Sequence, residues 1–152
     1  MAISRGSSTE IIRCHHFEDI DSADTVLILG VQHHIYTVLS IIVNAKVLQA
    51  SGNVVQVEFV GFDAKGGASA QTHTIFKESF GSAGQTFVWN DKFSFNGSEP
   101  DWSGATGAMT TTAEQDLIAD QGSATVQYLK CSTTHADDGF EIAITFIDQN
   151  NA

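Results

Sequence analysis

Phe140-Glu141-Ile142-Ala143-Ile144-Thr145-Phe146-Ile147 carries the clearest pattern in the chain. Phe140, Ile142, Ile144 and Phe146 alternate with Glu141, Ala143 and Thr145, the period of a β-strand with one face in a core and one toward water. Gln85 to Phe95 repeats the pattern, with Phe87, Trp89, Phe93 and Phe95 on one side. Asp91 interrupts that apolar side, so Asn90-Asp91 predicts a turn or bulge between two shorter strands. From Ile35 to Val43 both sides are apolar except at Thr37 and Ser40, which predicts a strand covered on both faces. Ile35, Thr37, Leu39, Ile41 and Val43 are therefore candidates for a core or oligomer interface.

Further strands fit Glu10 to Phe17, Thr25 to Leu29, Asn53 to Asp63, Ala70 to Phe80 and Ala124 to Thr134. Turn chemistry separates them at Ser51-Gly52-Asn53, Asp63 to Gly67, Gly81 to Gly84 and Asp137-Asp138-Gly139. Fourteen Ser, fourteen Thr, thirteen Gly and ten Phe fit the same class. The expectation is an all-β protein, an antiparallel, jelly-roll-like β-sandwich of about eight strands. Residues 96–121 break the pattern with the chain's one proline, five acidic residues and no basic one. They predict a long loop or short-helix excursion, with Thr112 placed as a cap. Residues 1–9 carry Arg5 as their one charged side chain and predict a flexible arm, leaving residues 10–152 as a single domain.

Seven Lys and Arg against eighteen Asp and Glu give a net charge of −11. That balance opposes phosphate backbones and anionic lipid, so neither nucleic acid nor membrane is an expected partner. The N-terminus has no apolar signal core, and no uncharged run is long enough to span a bilayer, which predicts a soluble protein made in a cytoplasm. Cys14 and Cys131 lie at opposite ends of the chain, outside any CxxC spacing, and read as reduced packing residues, with one cross-link between terminal strands as the alternative.

His15-His16 and His33-His34 invite a metal reading. Adjacent strand residues point to opposite faces, however, so neither pair brings both imidazoles to one ion without help from another strand. In Glu18-Asp19-Ile20-Asp21-Ser22-Ala23-Asp24, the carboxylates of Asp19, Asp21 and Asp24 are weak candidates for Ca²⁺. The glycine turn and distal Glu of an EF-hand are missing, and a solvated acidic turn is the plainer reading. No GxSxG, Walker or dinucleotide pattern is present, and His15 points away from Cys14 on a strand, so no catalytic residue and no cofactor are expected. Trp89 belongs with the core aromatics. Trp102, beside Asp101 in the excursion, is the exposed aromatic, and with Arg5 and Arg13 it forms the set of candidate partner contacts.

The order of TVLILG, IYTVLSIIV, VVQVEFVGFD, Gly84-Gln85-Thr86-Phe87-Val88-Trp89-Asn90-Asp91-Lys92-Phe93-Ser94-Phe95-Asn96-Gly97 and FEIAITFID resembles small β-sandwich structural proteins of tailed bacteriophages. The resemblance covers roughly residues 24–149 and departs from the pattern in the insertion between Asn96 and Ala124. It implies a non-enzymatic virion protein, assembled in the host cytoplasm, that acts by geometry. A capsid decoration or cement protein comes first, and a tail or head–tail protein second. The implied partners are the major capsid protein or another virion protein, together with further copies of the chain as a trimer or dimer. From a different class, a carbohydrate-binding β-sandwich would use Trp102 as its stacking residue and the acidic segment as a calcium site.

Overall fold

The computed structural model describes residues 9–62, 70–100 and 124–150. Eleven strands run in chain order: β1 (Thr9–Ile20), β2 (Thr25–Leu29), β3 (His34–Val47), β4 (Asn53–Phe62), β5 (Ala70–Phe80), β6 (Thr86–Trp89), β7 (Phe93–Asn96), β8 (Ser98–Pro100), β9 (Ala124–Val126), β10 (Tyr128–Thr133) and β11 (Gly139–Asn150). The described residues contain no helix, so none long and apolar enough to cross a membrane. Residues 1–8 of the expected 1–9 arm, the Asp63 to Gly67 turn and the excursion beyond Pro100, with its Thr112 cap, lie outside the described residues, whereas Thr9, the last residue of that arm, opens β1.

One sheet has the order β1-β11-β3-β6, with β7 also paired to β3, and the other has the order β2-β10-β4-β5. Every pairing is antiparallel. Taken as one strand interrupted at residues 90–92, β6 and β7 complete an eight-strand jelly roll in which the chain crosses from sheet to sheet. The fold is therefore the expected all-β sandwich. The interruption falls where Asn90-Asp91 predicts it.

Alternation explains the core. Phe140, Ile142, Ile144 and Phe146 of β11 point inward and are buried, and Val55 and Val57 of β4 and Leu129 and Cys131 of β10 meet them from the opposite sheet. Aromatic edges lock the layers together, with Phe80 against Phe140 at 5.0 Å between ring centroids and Phe59 against Phe95 at 5.1 Å. Each such ring withdrawn from water contributes roughly 1.5–3 kcal/mol.

Strand β3 departs from strict alternation. Val38 pairs with Phe146 and Ser40 with Thr145, which leaves Leu39 as an extra residue bulged out of the β11 ladder. The bulge inverts the facing of the strand. Tyr36 and Val38 point inward before it, and Ile41, Val43 and Ala45 after it. A run that looks apolar on both faces is thus two inward-facing halves out of phase.

At one end of the sandwich the chain crosses itself closely. Gly30 N donates to Gln127 O (2.9 Å), Gln127 N to Gly97 O (3.0 Å) and Gly97 N to His34 O (2.8 Å). A Cβ on Gly30 would lie 2.0 Å from Gly97 O, and one on Gly97 would lie 2.0 Å from Val31 O. Only glycine permits this approach. The junction adjoins the β8–β9 ribbon, in which Ser98–Pro100 pair with Ala124–Val126. At the opposite end, buried Asp138 accepts hydrogen bonds from Gln49 N (2.9 Å), Asn53 Nδ2 (2.8 Å) and His135 N (3.2 Å), tying the β3–β4 turn to the β10–β11 turn. Burial opposes its charge. The donated hydrogen bonds outweigh that and hold the carboxyl below the ordinary aspartate range.

Candidate functional site

Two features stand out on the β1-β11-β3-β6 sheet, one on each face. The outward face is assembled from cross-strand rows. His16, Ala143, Ile42 and Val88 form one row, and Ile12, Ile147, Thr37 and Ser94 form another. Cys14 and Thr145 lie between them, with Sγ and Oγ1 3.4 Å apart. Ile12 is 68% exposed, Val88 54% and Ile42 42%, so apolar side chains stand in water across the middle of the sheet. Glu10 marks one end of this face, and Glu18, Glu141 and Lys46 mark the other. The two rows themselves hold no Asp, Glu, Lys or Arg, and exposed Asp91 and Lys92 lie between them at the β6–β7 edge.

The five β3 candidates are divided by the bulge at Leu39. Ile41 and Val43 are fully buried between the sheets, whereas Ile35, Thr37 and Leu39 are half-buried and do not continue the same inward row. Thr37 Oγ1 lies 2.8 Å from Ser94 Oγ on the outward face. Within one chain, Ile41 and Val43 thus fall in the core, while Thr37 belongs to the outward row. The added residue changes side-chain parity halfway along the strand.

On the inward side, where β1 extends past the end of β2, a cleft of about 260 Å³ opens between the layers. Arg13, His15, His34 and Asp148 supply its polar wall, and Leu29, Val31, Tyr36 and Phe146 an apolar one. Asp148 is buried and bridges two strands. Arg13 donates from Nε to its Oδ2 at 2.9 Å, and His34 donates from Nδ1 to its Oδ1 at 2.6 Å. The carboxylate at Nδ1 fixes the orientation of the His34 imidazole. Among the described residues, the lining includes no Ser, Thr or Cys, and the cleft can hold a small polar group. Arg13, a candidate partner contact, thus spends its Nε within its own chain while its side chain remains 42% exposed. Arg5 and Trp102 lie outside the described residues. Trp89 packs against Phe76 and Phe93.

The acidic segment does not gather its carboxylates on one point. Asp19 is exposed with φ 54°, Asp21 Oδ1 accepts Ala23 N at 2.7 Å, and Asp24 Oδ2 holds Lys130 Nζ at 2.7 Å. Lys130 also reaches Glu58 at 3.6 Å, and its hydrogen bond with Asp24 raises its pKa despite partial burial. Among the described residues, the His, Cys, Asp and Glu side chains that do converge are His16, Glu18 and Glu141, with ligand atoms within 4.8 Å of one another. Sequence reading missed this group. Its one available signal was that a strand histidine needs help from a second strand. Cys14 is exposed and Cys131 buried, and both are free thiols. Burial, with a small contribution from Asp24, pushes the Cys131 pKa up to about 12.

No protein-family model matches the sequence, and no curated protein is similar to it. Among solved structures, the chain is similar to one from Bacillus endospore appendages, a family of disulfide-linked pili, with 9% identity and a TM-score of 0.43 over 99% of this chain and 96% of that one. It is also similar to chains of infectious bursal disease virus. For the Gx strain the identity is 10% and the TM-score 0.46 over 96% of this chain, and for the Gt strain 9% and 0.37 over 99%. The chain spans about a third of those two viral proteins, 33% and 38%.

Proposed function

We propose that the chain is a non-enzymatic structural protein of a bacteriophage virion, a capsid decoration or cement protein that stabilises the head surface. The observation that carries an assembly role is the outward face of the β1-β11-β3-β6 sheet, where Ile12, Ile42 and Val88 are exposed in rows free of Asp, Glu, Lys and Arg. Contiguous exposed apolar surface marks interaction sites. Its occupant in this reading is a second copy of the chain. A protein of net charge −11 repels its own copies over most of its surface, and rows of apolar and small polar side chains with few charges are where they can meet at least cost. The phage assignment rests on the resemblance of segment order, and the capsid is the partner it implies.

Two experiments test the reading. Sedimentation of the purified chain at micromolar concentration is expected to show a dimer or trimer, and Ile42→Asp is expected to shift it toward monomer with the fold intact. A wild-type monomer both in solution and on particles counts against the interface. Particles made with and without the gene are expected to differ in head appearance and stability. Label on the tail instead would move the assignment to a tail or head–tail protein, and particles that never contain the chain would sink it.

A further inference from the structure

Two β-bulges converge on a short stretch of β11. On one side, Phe17 pairs with Ile142 and Ile20 with Phe140, so β1 carries an extra residue opposite Glu141, and Asp19 takes a positive φ of 54° there. On the other side, Ala45 pairs with Phe140 and Val47 with Gly139, so Lys46 is the extra residue of β3. Bulges re-aim side chains. Here they bring Glu18 from β1 and Lys46 from β3 to Glu141 between them, and His16, two residues before Glu18, falls on the same outward face. His16 Nε2 lies 3.5 Å from Glu18 Oε1, and Lys46 Nζ lies 2.6 Å from Glu141 Oε1.

We propose that His16, Glu18 and Glu141 form a surface site for a divalent transition-metal ion of the Zn²⁺ class, and that Lys46 competes with the ion for Glu141. The His16–Glu18 spacing suits such an ion, and Glu141, with its ligand atom within 4.8 Å of theirs, would close in on binding. Two ligand atoms each about 2.1 Å from a tetrahedral centre stand roughly 3.4 Å apart, close to the His16–Glu18 separation. An imidazole with two carboxylates favours Zn²⁺, Ni²⁺ or Co²⁺ over Mg²⁺ and Ca²⁺, which prefer oxygen alone, and water would complete the shell. Lys46 already serves as the counter-cation. All three ligands come from one chain, and His16 lies at the edge of the row that carries Ile42 and Val88, so the site borders the proposed contact between copies.

The test is calorimetric titration of the full chain with Zn²⁺, and separately with Mg²⁺, in a non-coordinating buffer. One Zn²⁺ per chain is expected, with affinity weakened by on the order of tenfold or more in His16→Ala and in Glu141→Gln. Lys46→Gln is expected to bind severalfold tighter. His16 and Lys46 are exposed and Glu141 half-buried, and circular dichroism checks that each variant is folded. Absence of Zn²⁺ binding, unchanged affinity in both ligand variants, Mg²⁺ binding as strong as Zn²⁺, or unchanged affinity in Lys46→Gln would each overturn the proposal.

Discussion

His34 donates from Nδ1 to the buried Asp148 at 2.6 Å, a bond between the first residue of β3 and the far end of β11. Arg13 takes the other carboxylate oxygen from β1, so one side chain clasps three adjacent strands where the sheet overhangs the cleft. Asp148→Ala is expected to destabilise the fold by roughly 1–3 kcal/mol, the range for a lost charged hydrogen-bond partner. Half-exposed Arg13 can recover water, which keeps the cost below that of a fully buried pair. Urea unfolding measures it, and an unchanged midpoint would show that the clasp contributes nothing.

The Asp138 turn clamp makes stability depend on acid. Its carboxyl titrates below the ordinary value when folded, so its contribution is fully present above the unfolded pKa of about 3.9 and is lost as pH falls through the lower folded value. Asp138→Asn is therefore expected to be less stable than wild type by about 1–2 kcal/mol near pH 6, with the gap closing toward pH 3. A gap independent of pH in denaturant titrations would remove the charge from the explanation.

Gly97→Ala and Gly30→Ala each force a methyl into backbone atoms of the crossing and are expected to cost roughly 1–3 kcal/mol or more. Gly81→Ala, whose Cβ would meet only the Gln85 side chain at 3.6 Å, is the control, expected within about 0.5 kcal/mol of wild type. Thermal melts of the three variants compare them directly. Equal melting temperatures would mean that the junction yields.

The two thiols are expected to react in separate phases. Exposed Cys14 should consume one equivalent of Ellman's reagent in the native protein near pH 8, and Cys131 should react only on unfolding, because burial holds its pKa at about 12. Cys14→Ser should abolish the native phase. Two equivalents reacting at once in native protein would contradict the burial of β10.

Strand identity was legible in the sequence because it depends on local alternation. Phe140 to Phe146 announces its inward face without any partner, and the Asn90-Asp91 break is visible as two polar residues in an aromatic row. The class of fold follows from such strands and the turns between them. The facing of β3 was not legible, because the bulge at Leu39 exists only relative to the pairing with β11, and one unpaired residue reverses every side chain beyond it. The cleft and the His16–Glu18–Glu141 group were hidden for the same reason. Arg13 meets Asp148 across 135 residues of sequence, and Glu141 reaches His16 and Glu18 only once β1 and β11 are in register. The sequence by itself thus determined the elements, through the two-residue period of an extended chain and the chemistry of its turns. The tertiary structure alone decided which charged and imidazole side chains share a site, because strand register places residues from opposite ends of the chain within a few ångströms of one another.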